Sequence, residues 1–417
     1  MSPGWDGGEA RRPLPSVAEA LAMVRGRAAP LAPRIHALHE ALGLVLAQDA
    51  RADLDMPPFD KALLDGYAVR ASDLEAGDRR LDVGELLHAG GTPARPLGPR
   101  EAAVIMTGTP VPAGADAVVM HERTRRSGDV VEINEPAVKH GQNILPRGRE
   151  ARAGDVVVER GRVLTPARLG VLASFGCAQV LAAPRPQVVV VPTGDELVEP
   201  DQAPGPGQIR DSGSTMLTAL VNQAGGCARA LGIAPDLPDT LRRSLERGLE
   251  ADLLLVTGGV SAGQRDLVPD ALEALGVECV FHKVRIKPGK PIWFGVAAAR
   301  GEHPGTLVFG LPGNPVGALV GFLVFVRPAL QALAGRPAQA SEMARARLAQ
   351  PFRHRGDRPT YHPAVVTGAG DPVWARALDW AGSADLRRAA EADGFLAFEA
   401  GDRDYAEGEI VGFLPMG

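Results

Sequence analysis

Cysteine is almost missing from this sequence: three in 417 residues, at Cys177, Cys227 and Cys279. None stands in a CxxC spacing, which removes the usual signature of a disulfide framework or a zinc ribbon. Their apolar neighbours in sequence predict buried thiols in a reducing compartment. An excess of basic residues is missing too. The net charge is −5 at pH 7 and the pI is near 6.0, so the chain as a whole carries no electrostatic footprint for nucleic acid. Any anion must therefore be captured by a local arrangement of donors. With no secretory signal and no apolar run of membrane length in evidence, the expectation is a cytoplasmic protein away from membranes.

What the chain does have is glycine (50) and proline (36), together roughly a fifth of its residues, below the range of disordered low-complexity chains. A loop-rich globular protein of two to four domains is the reading. Residues 1–13 read as a disordered leader. Residues 14–52 and 151–186 read as a helical support module. Its first helix opens on the capping box Ser16-Val-Ala-Glu19, a second is expected over 34–47, and a third over 162–180 behind the cap Thr165-Pro166. Residues 53–150 read as an inserted β domain of short strands and Gly/Pro turns. Within it Asp65-Gly66-Tyr67 is a turn that holds a carboxylate at a loop tip.

From 187 to 335 the pattern alternates strand and helix, with strands expected at 188–191, 231–233, 253–256, 277–286, 292–294 and 306–309 and helices at 214–223, 239–249 and 268–275. This is a doubly wound α/β domain with a mostly parallel sheet. Residues 336–417 return to short strands and turns, a second β domain.

The chemistry concentrates at strand exits of the α/β domain. The stretch DLLLVTGGVSAGQRD, 252–266, runs from a buried strand into Gly258-Gly259 and brings Thr257, Ser261 and Asp266. Ligands in open α/β sheets bind at such carboxyl ends. Two further strands lead into Thr193-Gly194-Asp195-Glu196 and into Gly313-Asn314-Pro315, where Asn314 is a natural N-cap and Pro315 a natural first helical residue. A helix N-terminus behind a glycine loop suits phosphate. The turn Lys287-Pro-Gly-Lys290-Pro291 adds two cations suited to a phosphate or a compact oxyanion. Taken singly, Gly258-Gly259 reads as an ordinary strand-to-helix turn, Asp65 as a turn-stabilising residue and the lysines as solvated. Four such loops in one domain point to a site.

The motifs MPPFDKALLDGYAVR, TGTPVPAGADAVVMHE, GQNILPRG, VVVPTGDEL, TGGVSAGQRD, KPGKP and GLPGNP, in this order, resemble the molybdopterin molybdenumtransferase family, which includes the catalytic domain of gephyrin. The resemblance covers nearly the whole chain after the leader. It implies a helical module interrupted by a β domain, a central α/β domain that binds the pterin nucleotide and a C-terminal β barrel. It also implies a homodimer whose site is shared between subunits, and transfer partners in molybdenum cofactor synthesis. The implied reaction joins molybdate to adenylated molybdopterin, releases AMP and uses Mg²⁺.

Carried over, the family's functional carboxylates fall on Asp65, Glu196, Asp236 and Asp266, with Glu196 and Asp266 as metal ligands. The implied binding residues are Ser261, Lys287, Lys290, Pro291, Arg358 and Ser383, beside the loop residues Thr193, Gly194, Asp195, Gly258, Gly259, Gly313 and Asn314. The chain departs from the family pattern at Gly317, where relatives carry serine and one hydroxyl donor at a molybdate subsite. It departs also at Lys61 and Ala62 (asparagine and serine), Gly213 (asparagine), Glu150 (aspartate) and Asp393 (asparagine). Two other readings are a molybdopterin adenylyltransferase-like enzyme, which the two β domains disfavour, and a non-catalytic cofactor carrier or scaffold, which the retained carboxylates and lysines disfavour.

Overall fold

The computed structural model describes residues 13–75, 77–260, 267–299, 305–336 and 343–417. All but the last residue of the expected leader, and the site candidates Ser261 and Asp266, lie outside the described residues. The chain divides into two compact units: one holds residues up to Ile35, Gly43–Ala47 and Leu181–Gly417, the other His36–Leu42 and Gln48–Val180.

The first unit is built on a six-stranded sheet with the order Cys227–Ala230, Gln187–Pro192, Leu253–Thr257, Thr306–Leu311, Trp293–Ala297, Val277–His282. The first four strands are parallel. The last two add an antiparallel edge. Leu253–Thr257 is buried at every position, because helices cover both faces of a parallel sheet. Successive side chains alternate between two cores. Val188, Val190, Leu253, Leu255 and Phe309 pack with Leu217 and Val221 of helix Gly213–Gln223 and with the 315–333 segment. Val189, Val191, Leu254, Val256 and Val308 pack with Leu241 and Leu245 of helix Pro238–Gly248 and with Leu272.

The C-terminal strands Ala344–Leu348, Val373–Ala377, Thr360–Gly368, Gly394–Phe398 and Ile410–Pro415 close into a five-stranded barrel. Tyr361, Phe395 and Leu414 of this barrel share the core of the α/β sheet. Helix Val17–Arg27 joins the same core through Ala20 and Val24, and its capping box forms, with Glu19 N–H on Ser16 Oγ at 3.2 Å and Ser16 N–H on Glu19 Oε2 at 2.8 Å.

The second unit carries a six-stranded sheet of order Ala117–Met120, Gly66–Val69, Glu101–Ile105, Arg80–Leu87, Val130–Ile133, Thr124–Ser127. Separate apolar clusters lie on it around Tyr67 and Val119 and around Ala68 and Val118.

Five expectations need correction. The stretch 34–47 is not a helix but strand Arg34–Ala37, one 3₁₀ turn Leu38–Glu40 and strand Val45–Leu46. Gly43 at φ 80° interrupts it, and Val45–Leu46 pairs with Ala182 and Ala183. The helix expected over 162–180 is confined to Pro166–Ser174, with Thr165 as its cap, because the chain turns at Gly176, φ 74°, and enters strand Gln179–Ala183. The strand expected at 231–233 lies earlier, at Cys227–Ala230, where it finds its parallel partner. Cys227 and Cys279 are exposed because both sit on the outermost strands of the sheet. Last, Pro315–Leu333 is long and apolar enough to cross a membrane, but 83% of its most apolar window is buried within the protein, as the core helix on which the sheet packs.

Candidate active site

Three strand exits are laced together at the carboxyl edge of the parallel sheet. Thr193 N–H donates to the Thr257 carbonyl at 2.8 Å and Gly258 N–H to the Leu311 carbonyl at 3.2 Å. The lacing depends on glycine: Gly258 has φ 84°, and a Cβ there would stand 2.4 Å from the Thr193 carbonyl oxygen. Gly194 is required for a different reason. The Glu196 carboxylate folds back so closely that a Cβ on Gly194 would lie 2.4 Å from Oε2.

These exits line a cavity of about 530 Å³ that presents Thr193, Glu196, Asp211, Thr257, Gly313 and Asn314. Asp211 was not anticipated. It is only 5% exposed and accepts from Ser214 N–H at 3.1 Å and from the Ser214 hydroxyl, so a buried carboxylate ties down the start of helix Gly213–Gln223. The signal was present as Asp211-Ser-Gly-Ser214, an acidic residue three positions ahead of a helical N–H. Asp195 and Asp236 line neither this cavity nor the next. Asp236 N–H donates to Asp195 Oδ1 at 3.0 Å, which ties the two loops to each other.

A second cavity of about 520 Å³ lies between the α/β loops and the barrel of the same unit. Lys287, Lys290, Pro291, Arg358, Ser383 and Asn314 all line it, so the expected oxyanion residues converge although they are spread over almost a hundred residues of chain. Backbone pairing explains the convergence. Lys287 N–H donates to the Pro359 carbonyl at 2.9 Å, Tyr361 N–H to the Lys287 carbonyl at 2.8 Å, and Arg358 Nη1 to the Ile286 carbonyl at 3.1 Å. Val316 N–H, in the first turn after Asn314-Pro315, donates to the Ser383 carbonyl at 3.1 Å. Asn314 occupies the N-cap position, yet its side chain makes no capping bond, and it lines both cavities. Behind the cations His362 stacks edge-on between Phe352 and Trp380 and meets the Leu378 carbonyl at 2.7 Å. Burial pushes its pKa down, and Lys287 adds to the shift.

Asp65 belongs to the other unit. Thr107 donates to its Oδ1 twice, from N–H and from Oγ1, both at 2.7 Å. These bonds hold its carboxyl below the usual carboxylate range, with a smaller contribution from the charge of His121. Two of the departures from the family pattern face each other here, with Lys61 Nζ 3.9 Å from Glu150 Oε1. Among the described residues no group of three His, Cys, Asp or Glu side chains is gathered for a metal.

An α/β sheet with a hydroxyl and carboxylate cavity at its strand ends, beside a cationic cavity, has the layout of a ligand-binding α/β protein. Family profiles match the chain over 15–176 as "MoeA N-terminal region (domain I and II)", over 189–332 as "Probable molybdopterin binding domain" and over 345–416 as "MoeA C-terminal region (domain IV)". The molybdopterin molybdenumtransferase of Staphylococcus aureus (strain Mu50) is 32% identical, with 97% of this chain and 96% of the relative covered. Molybdopterin molybdenumtransferase 2 of Mycobacterium tuberculosis is 41% identical over 72% of this chain and 75% of the relative. Among solved structures, the molybdopterin biosynthesis MoeA protein of Pyrococcus horikoshii superposes with a TM-score of 0.79 at 31% identity, covering 97% of this chain and all of that one. The chain belongs to the molybdopterin molybdenumtransferase (MoeA) family.

Proposed function

We infer that this protein is a molybdopterin molybdenumtransferase that acts in molybdenum cofactor biosynthesis, joining molybdate to adenylated molybdopterin and releasing AMP. The observation that carries the reading is the pair of cavities that share Asn314. A substrate that bears a phosphoanhydride next to the group that must meet an oxyanion calls for two adjoining compartments of different polarity. Lys287, Lys290, Arg358 and Ser383 would hold molybdate, a tetrahedral dianion matched by cations and a hydroxyl. Thr193, Thr257 and the N-terminal turn behind Asn314 would receive the nucleotide phosphates. Gly194, Gly258, Gly259 and Gly313 let backbone approach the ligand closely, while Asp195 and Asp236 would hold the neighbouring loops in register.

Glu196 and Asp266 would hold Mg²⁺. Glu196, which lines the cavity, suits a cation that is bound by one or two carboxylates, substrate phosphates and its own waters, with no all-protein cage. When bound, Mg²⁺ would offset the charge of the phosphoanhydride. The whole-length relationship to the S. aureus enzyme supports the transferase over an adenylyltransferase or a carrier. We further propose a cytoplasmic homodimer in which the Asp65 loop of one subunit completes the site of its partner.

The experiment is direct. Purified protein, adenylated molybdopterin and Mg²⁺ should release AMP in proportion to added molybdate. AMP release that ignores molybdate would overturn the reading. For the dimer, an Asp65→Ala protein and a Glu196→Ala protein, each inactive, should recover partial activity after subunit exchange. No recovery in proven heterodimers would assign each site to one chain.

A further inference from the structure

Thr257 closes strand Leu253–Thr257 and is 6% exposed. Its carbonyl accepts from Thr193 N–H and from Thr193 Oγ1, yet its own hydroxyl has no partner among the described residues, and it lines the strand-end cavity. Asp211 lines the same cavity at 5% exposure. Each of its carboxylate oxygens accepts one bond from Ser214, which leaves about half of its roughly four lone-pair positions open. Among the described residues no cation pairs with it, and Arg210 of the cavity wall donates through Nε to the Gln202 carbonyl at 2.9 Å. A carboxylate so deeply buried calls for more donors than Ser214 supplies.

Gly213 shows where a donor fits. It is the first residue of helix Gly213–Gln223 and lines the cavity. A Cβ there would meet, beyond the adjacent chain, only Asp211 Oδ1 at 3.5 Å and Thr257 Oγ1 at 3.6 Å. A carboxylate oxygen and an unpaired hydroxyl therefore converge on one bare spot of the cavity floor. Neither crowding nor a left-handed backbone demands glycine at this position, and the family pattern has asparagine, so the opening is a feature of this chain.

We propose that the open floor at Gly213 is the ribose subsite of the nucleotide, in which Asp211 Oδ1 accepts from a ribose hydroxyl. This rests on the reading that Thr257 receives the nucleotide phosphates. In a nucleotide the sugar follows directly on the phosphate, so the donor nearest to a phosphate at Thr257 is a ribose hydroxyl, with the amino groups of adenine and pterin a ring farther away. A carboxylate that takes the ribose hydroxyl is a recurrent device of nucleotide-binding α/β sheets. Asp211 is thus a binding residue that selects a ribonucleotide over a deoxyribonucleotide.

Calorimetric titration of the full-length protein and Mg²⁺ with AMP, 2′-deoxy-AMP and 3′-deoxy-AMP reads the subsite through the ligand alone. Wild type should bind AMP about tenfold or more tighter than at least one deoxy nucleotide, the scale of a lost charge-assisted hydrogen bond, and the weakened analogue names the hydroxyl. Gly213→Ala keeps the bonds between Asp211 and Ser214 and puts a methyl group on the floor. It should weaken AMP by about tenfold and leave the disfavoured deoxy nucleotide within about twofold, a pattern that loosening of the helix start would not give. Equal binding of all three nucleotides to wild type overturns the ribose subsite, as does an equal loss of all three in Gly213→Ala. If Gly213→Ala weakens only intact adenylated molybdopterin, the donor belongs to the pterin and the ribose assignment falls. Thr257→Val separates this from the wider reading. AMP that fails to bind wild type, or binds Thr257→Val unchanged, overturns the nucleotide cavity itself; AMP that needs Thr257 but shows no sugar preference overturns the ribose subsite alone.

Discussion

The two cavities that meet at Asn314 are of nearly equal volume, about 520 and 530 Å³, and of different character, although Arg210 lines the one that holds the carboxylates. One is walled by Lys287, Lys290 and Arg358 and is completed by the barrel; the other is walled by Thr193, Thr257, Glu196 and Asp211 and is made by strand exits. The difference lies in how each is supported. The acidic cavity sits where any parallel sheet offers ligand room. The cationic cavity depends on the pairing of residues 286–287 with 359–361 and of Val316 with Ser383, so its cations are positioned by contact between the α/β loops and the barrel. If the division is functional, the acidic cavity governs the rate and the cationic cavity governs capture of the oxyanion.

The largest effect expected is at Glu196. Glu196→Gln keeps the side-chain volume and removes the charge, so molybdate-dependent AMP release should fall about 10²-fold or more, the scale for loss of a preorganised electrostatic group. The molybdate concentration for half-maximal release should stay where it is. Movement of that concentration instead would erase the distinction between the cavities. Lys290→Ala should do the reverse. Losing a charge-assisted hydrogen bond costs about 1.5–3 kcal/mol, hence roughly a 10- to 150-fold rise in half-saturating molybdate, with kcat less affected. A competition titration with tungstate would check the same site without turnover.

How much of this was legible in the sequence follows from which interactions are local. The strand exits were, because Gly258-Gly259 and Asn314-Pro315 encode their own turns, and Pro315 does open a helix. Lys287 and Lys290 were legible as one turn, but Arg358 joined them only through family resemblance, because the pairing of Lys287 with Thr360 that makes them neighbours leaves no periodic trace. Asp211 was missed although the helix it ties down was expected over 214–223, because its carboxylate acts from one residue ahead of the N-cap Ser212. The false helix over 34–47 shows that apolar spacing at helical period is weak evidence when a glycine such as Gly43 can adopt φ 80° inside it. A long helix behind Asn314-Pro315 was expected, but not its membrane-length apolar run, because Arg327-Pro328 interrupts that run in sequence without ending the helix.

A smaller effect concerns the support behind the cationic cavity. Burial lowers the His362 pKa from its ordinary value of 6.5, so between that value and the lowered one the unfolded chain binds more protons than the folded one. Stability is therefore retained above about pH 6.5 and lost as pH falls through the lowered value, with a slope of at most about 1.4 kcal/mol per pH unit. His362→Gln removes the titration while keeping a donor for the Leu378 carbonyl. Its melting temperature should fall less steeply than that of wild type as the pH drops below about 6.5. Parallel pH profiles would mean that another group carries the acid sensitivity.

The smallest effect tests where the cationic cavity departs from its relatives. Gly317 is buried and lines that cavity, in the first turn behind Asn314-Pro315. A Cβ there would meet Pro312 Cβ and Cγ at 3.4 Å and Gly289 Cα at 3.6 Å, which is ordinary van der Waals contact, so glycine is not enforced by crowding within this chain. Gly317→Ser should therefore fold, and replacing glycine by serine inside a helix should stabilise by at most about 0.5 kcal/mol. The hydroxyl would restore one hydrogen bond to the bound oxyanion, worth about 0.5–1.5 kcal/mol, or up to roughly tenfold tighter molybdate. Affinity for adenylated molybdopterin should be unchanged, since the acidic cavity is untouched. Separate titrations of the two substrates decide the matter: a loss of pterin affinity would mean that the substrate crosses from one cavity into the other at position 317, and that the glycine is kept to let it pass.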